Sequence, residues 1–339
     1  MTRVLAVRLD SDGDVLLTGP AVRALAAAAD QVDLLVSPAG SAAARLLPGV
    51  ADVLVFDAPW SGFRPPPVDR PAVDALVQDL ATRRYDAAVV FTSFHQSPLP
   101  MALLARMAAI PFVAATSEDY PGSLLDLRHR RADGLHEVRA ALDLAVAAGG
   151  RQDGDDLRVR GPLPDVRSLV PGPGYVVLHP GASVPSRALG PDQAQRIAAA
   201  LGSAGWPVVV TGSPSERALT AVTAARGAVD LGGRTSFAEL AAVLAGAACV
   251  VVGNTGPAHL AAAVGTPVVS LFSPVVPVER WAPWGVPTVV LGDQGAACAG
   301  SRARDCPVPG HPCLDSVDAA DVLAAVAALT GTTVREALR

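Results

Sequence analysis

The sequence predicts an α/β protein built from two doubly wound, Rossmann-like domains, and three observations support this. Short apolar runs alternate with alanine-rich segments of helical length, and the alternation stops and restarts across a polar stretch at 151–174. With 339 residues, the chain also has the length of about two domains. Strands that are apolar throughout are typical of parallel sheets covered by helices on both faces, so we expect one such sheet in each half.

The first half is predicted to form one domain, at 1–160. The proline-rich segment 58–67 interrupts the alternation and is expected to be an exposed loop. The predicted strands are at 4–7, 32–36, 53–56, 87–91 and 112–114, and the predicted helices are at 15–28, 39–47, 71–84, 98–108 and 135–148.

The second half is predicted to form a domain at 175–330, after a linker at 161–174 that is rich in glycine and proline, and before a tail at 331–339. The predicted strands are at 175–179, 208–211, 249–252 and 268–272, and the predicted helices are at 191–203, 214–226, 237–245, 257–264 and 317–329.

The composition excludes several classes of protein. Half of the residues are hydrophobic and 17% are charged, which excludes a mainly disordered chain. The formal net charge is −5, and all 27 basic residues are arginines without a basic run. Because nucleic-acid binding depends on the neutralisation of phosphates, we expect no nucleic-acid partner.

The hydrophobic segments predict a cytoplasmic protein without a transmembrane segment. The longest apolar stretch, 240–253, is shorter than the ~20 residues that a membrane-spanning helix needs. Asp10, Asp12 and Asp14 follow the first apolar run, where a signal peptide would still be hydrophobic. The four cysteines are too few for a disulfide scaffold in a chain of this length.

The loop after the first predicted strand is rich in aspartate. It lacks the GxGxxG spacing of a dinucleotide site, and Ala21 stands where a calcium loop needs its bidentate glutamate. The sequence instead predicts a glycine turn at Gly13 that presents Asp14 at the start of a helix. Asp14 is then either a helix-capping group or a general base.

Two loops of the second half have the composition of an anion site. In the loop 179–187, Ser183 and Ser186 offer hydroxyls and Arg187 offers a guanidinium, which suits a diphosphate, although a surface arginine on an ordinary turn is the alternative. In the loop 253–259, Thr255 is a predicted N-cap and Pro257 lies in the first helical turn, whose free N–H groups attract anions.

Other polar residues have two interpretations each. His259 is either a ligand-binding or a structural histidine, and Glu216 either interacts with its helix dipole or binds a ribose or base. Cys298, Cys306 and Cys313 lie near His311 but contain no CxxC pair, so a zinc site is disfavoured and their role is left open.

These segments, in this order, resemble glycosyltransferase family 9, the heptosyltransferases that add heptose from ADP-heptose to the lipopolysaccharide inner core. The strings HPG, GGRTS and TGPAHLAAAVGTP are among the matching segments, which are 3–25, 176–201, 208–217, 230–274 and 306–313. The resemblance implies a GT-B fold, with two Rossmann-like domains facing a central cleft, and an inverting transfer that needs no metal.

The resemblance also implies roles for single residues. Asp14 corresponds to the catalytic base, Arg187 to a basic residue that is normally lysine, and Glu216 to a residue that binds the sugar donor. Two positions depart from the family pattern, because Asn254 replaces a usual aspartate and Asp12 a usual hydrophobic residue. The remaining residues expected at the donor site are Ser183, Ser186, Asn254, Thr255, Gly256, Pro257, Ala258 and His259.

The expected substrate is a nucleotide-diphosphate sugar, with ADP-heptose as the expected donor, and no cofactor is expected. The diphosphate is expected to bind Arg187, Ser183 and the N–H groups of 255–258, while Asp14 removes the proton of an acceptor hydroxyl. The acceptor is expected to be a cell-envelope glycan or a glycosylated metabolite. A peripheral position at the inner face of the membrane is one option for such an enzyme.

Three alternatives remain. A sugar-nucleotide epimerase would convert the donor without an acceptor. A nucleotide-sugar-binding protein that has lost catalysis is compatible with Asn254, although Asp14 is present. A two-domain dehydrogenase is disfavoured because no glycine fingerprint follows the first strand of either half.

Overall fold

The computed structural model describes residues 2–62, 64–225 and 227–331. The chain forms two compact units, Met1–Arg160 and Gly161–Arg339. Of the tail predicted at 331–339, only Gly331 lies within the described residues. No helix in the described part of the chain is long and apolar enough to span a membrane.

The first unit contains a six-stranded sheet in which every described pair of neighbouring strands is parallel. The strand order is β3-β2-β1-β4-β5-β6, so the direction of winding reverses between β1 and β4. Ligands of such sheets bind beyond the carboxyl ends of the two strands at this switch point. The strands are β1 (Arg3–Arg8), β2 (Gln31–Val36), β3 (Asp52–Val55), β4 (Ala87–Val90), β5 (Phe112–Thr116) and β6 (Leu127–His129).

Among the described residues of this unit, five α-helices connect these strands or follow them. Helices α1 and α5 pack against each other, and α3 and α4 contribute to a core cluster with buried residues of the sheet. The helix predicted at 39–47 is shorter in the structure, where a 3-10 turn at Pro38–Gly40 leads into four α-helical residues. The helices are α1 (Asp12–Ala26), α2 (Ser41–Ala44), α3 (Arg70–Arg83), α4 (Leu99–Met107) and α5 (Glu137–Ala147).

Helix α1 begins at Asp12, before the predicted start at 15. Ser11 has an extended backbone, and its carbonyl accepts the first helical hydrogen bond, from the N–H of Val15 at 3.0 Å. Gly13 is therefore inside the helix, and the prediction of a glycine turn there was wrong. A glycine is required instead at Gly40, where an added Cβ would lie 2.7 Å from the Asp10 carbonyl oxygen.

The second unit repeats this architecture with the order β12-β11-β10-β7-β8-β9, and its winding reverses between β7 and β10. The described strand pairs are again all parallel. The strands are β7 (Val176–His179), β8 (Val208–Val210), β9 (Val229–Asp230), β10 (Cys249–Gly253), β11 (Val268–Leu271) and β12 (Thr288–Leu291).

The helices of the second unit agree with the predicted ones in most places. Residues 191–203 and 237–245 are helical as predicted, whereas the helix predicted at 214–226 begins as a 3-10 turn, Pro214–Glu216, and residue 226 lies outside the described residues. The helices are α6 (Pro191–Ser203), α7 (Arg217–Ala224), α8 (Phe237–Ala245), α9 (Gly256–Ala263), α10 (Val278–Trp281), α11 (Pro312–Asp315) and α12 (Ala319–Thr330).

The strands that the sequence did not predict are edge strands. Strands β6, β9 and β12 each lie at the edge of a sheet, and their residues are half-buried or exposed. Strands β6 (LRH) and β9 (VD) lack the continuous apolar run by which the inner strands were recognised, whereas β12 (TVVL) has such a run and was missed.

Candidate functional site

Asp14 lies in the first turn of α1, at the carboxyl end of β1 and beside the switch point of the first sheet. Its side chain is 23% exposed. One carboxylate oxygen accepts a hydrogen bond from the guanidinium of Arg8 at 3.1 Å, and the other accepts one from the hydroxyl of Ser11 at 3.0 Å. The N-cap position belongs to Ser11, so Asp14 is a carboxylate oriented by two side chains and open to solvent on one side.

Arg8 is the centre of a buried cluster of charged groups. Its side chain is only 2% exposed and pairs with Asp10 at 2.8 Å, with Asp14, and with Glu137 at 3.8 Å. Burial by itself would lower the pKa of Arg8, but the three carboxylates outweigh burial and raise it. The guanidinium therefore stays charged, and the carboxylates compensate the cost of burying this charge.

The loop after β4 brings two polar side chains to this cluster. The Arg8 nitrogen that bonds Asp14 also donates to the hydroxyl of Ser93, after β4, at 2.8 Å. The side-chain amide of Gln96 donates to Asp10 at 2.6 Å. Burial raises the pKa of Asp10, and the charge of Arg8 opposes this shift. The loops after β1 and β4 are thus joined through side chains.

Asp12, the first residue of α1, contacts the protein itself. Its carboxylate accepts a hydrogen bond from the backbone N–H of Ala43, in α2, at 2.9 Å. Burial raises the pKa of Asp12 to about 6, and the Ala43 hydrogen bond opposes the shift. Asp12 therefore ties the start of α1 to α2.

In the second unit, three of the predicted loops follow adjacent strands, because β10, β7 and β8 are neighbours. The loops after β7 and β10 approach each other closely, since a Cβ at Gly253 would lie 2.5 Å from the carbonyl oxygen of Arg187. Ser183 is exposed and Arg187 is half-buried in a 3-10 turn. Both side chains lie at the switch point of the second sheet.

Ser186 has a structural role in this loop. Its hydroxyl is buried and donates to the carbonyl of Ala303 at 2.6 Å, and its N–H donates to the carbonyl of Arg304 at 2.9 Å. The carbonyl of Ser186 lies 3.0 Å from Nε2 of His311. Because the residue is held on all sides, we do not retain it among the groups expected to bind the sugar donor.

Fewer backbone N–H groups at 255–258 can bind an anion than the sequence predicted. Thr255 is the N-cap of α9, and its N–H donates to the carbonyl of Gly253 at 2.8 Å. The N–H of Ala258 donates to the carbonyl of Thr255 at 3.0 Å, and Pro257 has no N–H. Within this turn, Gly256 is the residue whose N–H can still serve an anion. His259 follows in the helix and is buried.

Glu216 lies over two glycines at the carboxyl ends of β7 and β8. Its carboxylate accepts a hydrogen bond from the N–H of Ser213 at 2.7 Å, and it is 3.9 Å from Nε2 of His179. A Cβ at Gly181 would overlap this carboxylate, at 2.1 Å. Burial lowers the pKa of His179 and the nearby Glu216 opposes the shift, so we take the imidazole as neutral.

The family is decided by a comparison with known protein families. The family model described as "Glycosyltransferase family 9 (heptosyltransferase)" matches residues 73–310, which is more than half of the chain. The chain belongs to glycosyltransferase family 9. The family predicted from the sequence motifs is therefore confirmed.

Known relatives of this family 9 protein agree with that assignment. Lipopolysaccharide heptosyltransferase 3 of Escherichia coli K12 is 37% identical over 116 residues, which are 32% of this chain and 33% of the relative. The match thus spans about a third of that relative's length.

Two solved structures have a similar fold over 97% of this chain. A family 9 glycosyltransferase from Veillonella parvula has a TM-score of 0.78 at 16% identity, over 97% of its own length. The E. coli heptosyltransferase WaaC with ADP has a TM-score of 0.70 at 20% identity, over all of its length. Together with the two parallel six-stranded sheets, these likenesses confirm the predicted GT-B fold.

Asn254, the departure from the family pattern in this family 9 protein, has a clear structural role. Its side chain is buried, and its amide forms a two-way hydrogen bond with the backbone of Ser273. The amide nitrogen donates to the Ser273 carbonyl and the amide oxygen accepts from the Ser273 N–H, both at 3.1 Å. A carboxylate has no donor for the carbonyl, so this arrangement requires an amide.

The cysteines of this family 9 protein lie mainly in the second core. Cys298 and Cys313 are buried there, all four cysteines are free thiols, and burial raises the pKa of Cys313. Across residues 2–62, 64–225 and 227–331, no group of three or more histidine, cysteine, aspartate or glutamate side chains could hold a metal ion.

Sequence reasoning missed the residues that orient Asp14. Arg8 is the last residue of β1, while Ser93 and Gln96 follow β4 and Glu137 begins α5. The available signal was topological: polar residues follow two strands that become neighbours where the winding reverses. That signal could be used only with the correct strand order, which the sequence did not supply.

Proposed function

We propose that this family 9 protein is an inverting glycosyltransferase that moves a heptose-like sugar from a nucleotide-diphosphate donor, ADP-heptose, to a hydroxyl of an envelope glycan or a glycosylated metabolite. The observation that carries the proposal is the partly exposed Asp14 carboxylate, held by Arg8 and Ser11 at the switch point. The fold is shared with the E. coli heptosyltransferase WaaC, whose structure contains ADP, and this supports the choice of nucleotide.

In the proposed reaction, Asp14 acts as the general base. It takes the proton of the acceptor hydroxyl as that oxygen forms a bond to the anomeric carbon of the sugar, and the bond from this carbon to the diphosphate breaks. Attack from the face opposite the diphosphate inverts the anomeric configuration. A base held in the correct position contributes typically about 10²–10⁴-fold to such a step.

The second unit is proposed to hold the leaving group. Arg187, Ser183 and the N–H of Gly256 offer one charged and two neutral hydrogen-bond donors at the second switch point. They would stabilise the negative charge that grows on the diphosphate, so no metal ion is required for that task. We assign Glu216 to a hydroxyl of the nucleoside, because a carboxylate accepts such hydrogen bonds.

Product analysis tests the proposed reaction. The full chain is incubated with ADP-heptose, with and without a glycan extract of the source organism, and products are followed by mass spectrometry. We expect ADP release and transfer of the sugar only with the extract. Conversion of the donor to an isomer without any acceptor would instead establish an epimerase. A donor that neither binds nor reacts would contradict the proposal.

A further inference from the structure

The loop after β4 is fixed to the Asp14 cluster at two points. The hydroxyl of Ser93 accepts from the same Arg8 nitrogen that donates to Asp14. Gln96 donates to Asp10 and also accepts from the N–H of Ser93 at 2.9 Å. Since β1 and β4 are the strands of the switch point, this loop and Asp14 flank the same crevice.

Between these two anchors lies an exposed pair of rings. Phe94 is 39% exposed, and His95 is exposed as well. The two rings pack edge to face, with centroids 5.2 Å apart and an interplanar angle of 78°. Phe94 is one of only seven phenylalanines in the chain, and the hydrogen bonds of Ser93 and Gln96 on either side hold the pair near the proposed base. Ligand sites characteristically combine such apolar rings with a few polar groups.

The charges around Asp14 restrict what can bind beside this pair. The cluster contains three carboxylates, because Asp10, Asp14 and Glu137 all surround Arg8. A second guanidinium, that of Arg131, pairs with Glu137 at 2.8 Å. In this cluster, two guanidinium groups therefore face three carboxylates, and each guanidinium already forms an ion pair with at least one of them. An acidic group on the acceptor would meet repulsion here.

We infer that the Phe94–His95 pair is an acceptor subsite for a neutral sugar ring. The C–H face of the sugar would stack on Phe94 while one of its hydroxyls reaches Asp14. The inference rests on the proposed function and adds the chemical class of the acceptor, an uncharged glycan unit rather than an acidic or phosphorylated one.

Saturation-transfer NMR with two matched probes tests the inference on the full chain. Methyl β-D-glucopyranoside and methyl β-D-glucuronide differ in the charge at C6 and otherwise present the same ring. We expect wild type to bind the neutral glycoside more tightly than the glucuronide. Phe94→Ala should weaken this binding about three- to tenfold, which is the contribution of one aromatic contact.

Two variants serve as controls. Phe94→Tyr keeps the ring and should keep the affinity, while Leu103→Ala removes an exposed side chain of α4, 48% exposed, and should not change it. The inference is overturned if wild type binds neither glycoside, if it binds the glucuronide as tightly as the glucoside, or if Phe94→Ala binds like wild type. The method reports binding without turnover. If the chain binds the glucoside but transfers no sugar, only the proposed function is contradicted. If it transfers sugar but its glucoside binding does not depend on Phe94, only this inference is contradicted.

Discussion

The guanidinium of Arg8 donates a hydrogen bond to the Asp14 carboxylate at 3.1 Å from a position that is 2% exposed. The orientation of the proposed base is therefore set by a residue that solvent barely reaches. The same guanidinium holds Asp10 and Ser93, so its planar fork connects the loops that meet at the switch point.

Two substitutions of Arg8 should separate its role in orienting Asp14 from the role of its buried charge. Arg8→Lys keeps a cation but cannot reproduce the fork, so we expect a fall of about 10- to 100-fold in the rate of transfer with unchanged affinity for the sugar donor. Arg8→Gln leaves the carboxylates without their buried cation and should lower the free energy of unfolding by about 3–5 kcal/mol. Steady-state kinetics and denaturant unfolding measure the two effects.

Arg130 provides the matched control for these variants. Its ion pair with Glu118 is exposed on both sides, so Arg130→Gln should leave stability and transfer close to wild type. Full activity in Arg8→Lys would show that the fork does not orient Asp14.

Asp12 should make stability depend on pH. Its folded pKa, about 6, is raised above the unfolded value, so the folded state binds the proton more tightly. Its contribution to stability is then greatest below the unfolded pKa and declines as the pH rises through about 6, where the buried carboxylate ionises. Asp12→Asn keeps an oxygen for the Ala43 N–H and removes this penalty, by up to about 3 kcal/mol.

The test for Asp12 is the Tm difference between Asp12→Asn and wild type across pH. We expect almost no difference near pH 4 and a gain that grows to a plateau above pH 7. Asp165→Asn is the control, because Arg167 lowers the pKa of that exposed carboxyl to about 2 and no such gain should follow. A constant difference, or a loss at pH 8, would show that burial does not raise the pKa of Asp12.

Gly181 allows the role of Glu216 to be examined without changing the carboxylate itself. Gly181→Ala places a Cβ onto the end of a flexible side chain, so the fold should tolerate the change while Glu216 moves. We expect a Tm close to wild type and weaker calorimetric binding of ADP. Gly202→Ala, where an added Cβ meets nothing within 4 Å, should leave ADP binding unchanged, and because Gly202 lies in α6 it should not lower the Tm. Unchanged ADP affinity in Gly181→Ala would remove Glu216 from the nucleotide site.

Asn254→Asp restores the residue usual in the family but should be destabilising. The variant loses the N–H donor to the Ser273 carbonyl and places a carboxylate oxygen next to that carbonyl oxygen. We therefore expect the free energy of unfolding to fall by about 1–3 kcal/mol. The Tm of the variant measures this. If Asn254→Asp is as stable as wild type, the amide is not required for the fold.

The inner strands and long helices were predictable from the sequence because their buried residues form recognisable apolar runs. Strand β10 and helix α8 show this, since each lies at or within one residue of its predicted bounds. The edge strands β6 and β9 were not predictable, because their few half-buried residues form no comparable pattern, whereas the apolar run of β12 was missed.

Asp14 as the base stays a prediction, and its surroundings were not predicted. The motif resemblance selects Asp14, but Arg8, Ser93 and Glu137 come from three separate segments that only the fold brings together. The opposite error occurred at Ser186 and Ala258, where polar groups suited to a ligand satisfy the protein's own hydrogen bonds instead. Local sequence does not reveal which hydrogen bonds are already made.

The rate of sugar transfer by Asp14→Asn tests the central claim most directly. The variant keeps the size of the side chain and an oxygen for Arg8 but cannot take the acceptor proton at neutral pH. We predict that transfer from ADP-heptose falls about 10²–10⁴-fold while the affinity for ADP stays the same. A variant that transfers sugar at the wild-type rate would show that Asp14 is not the base.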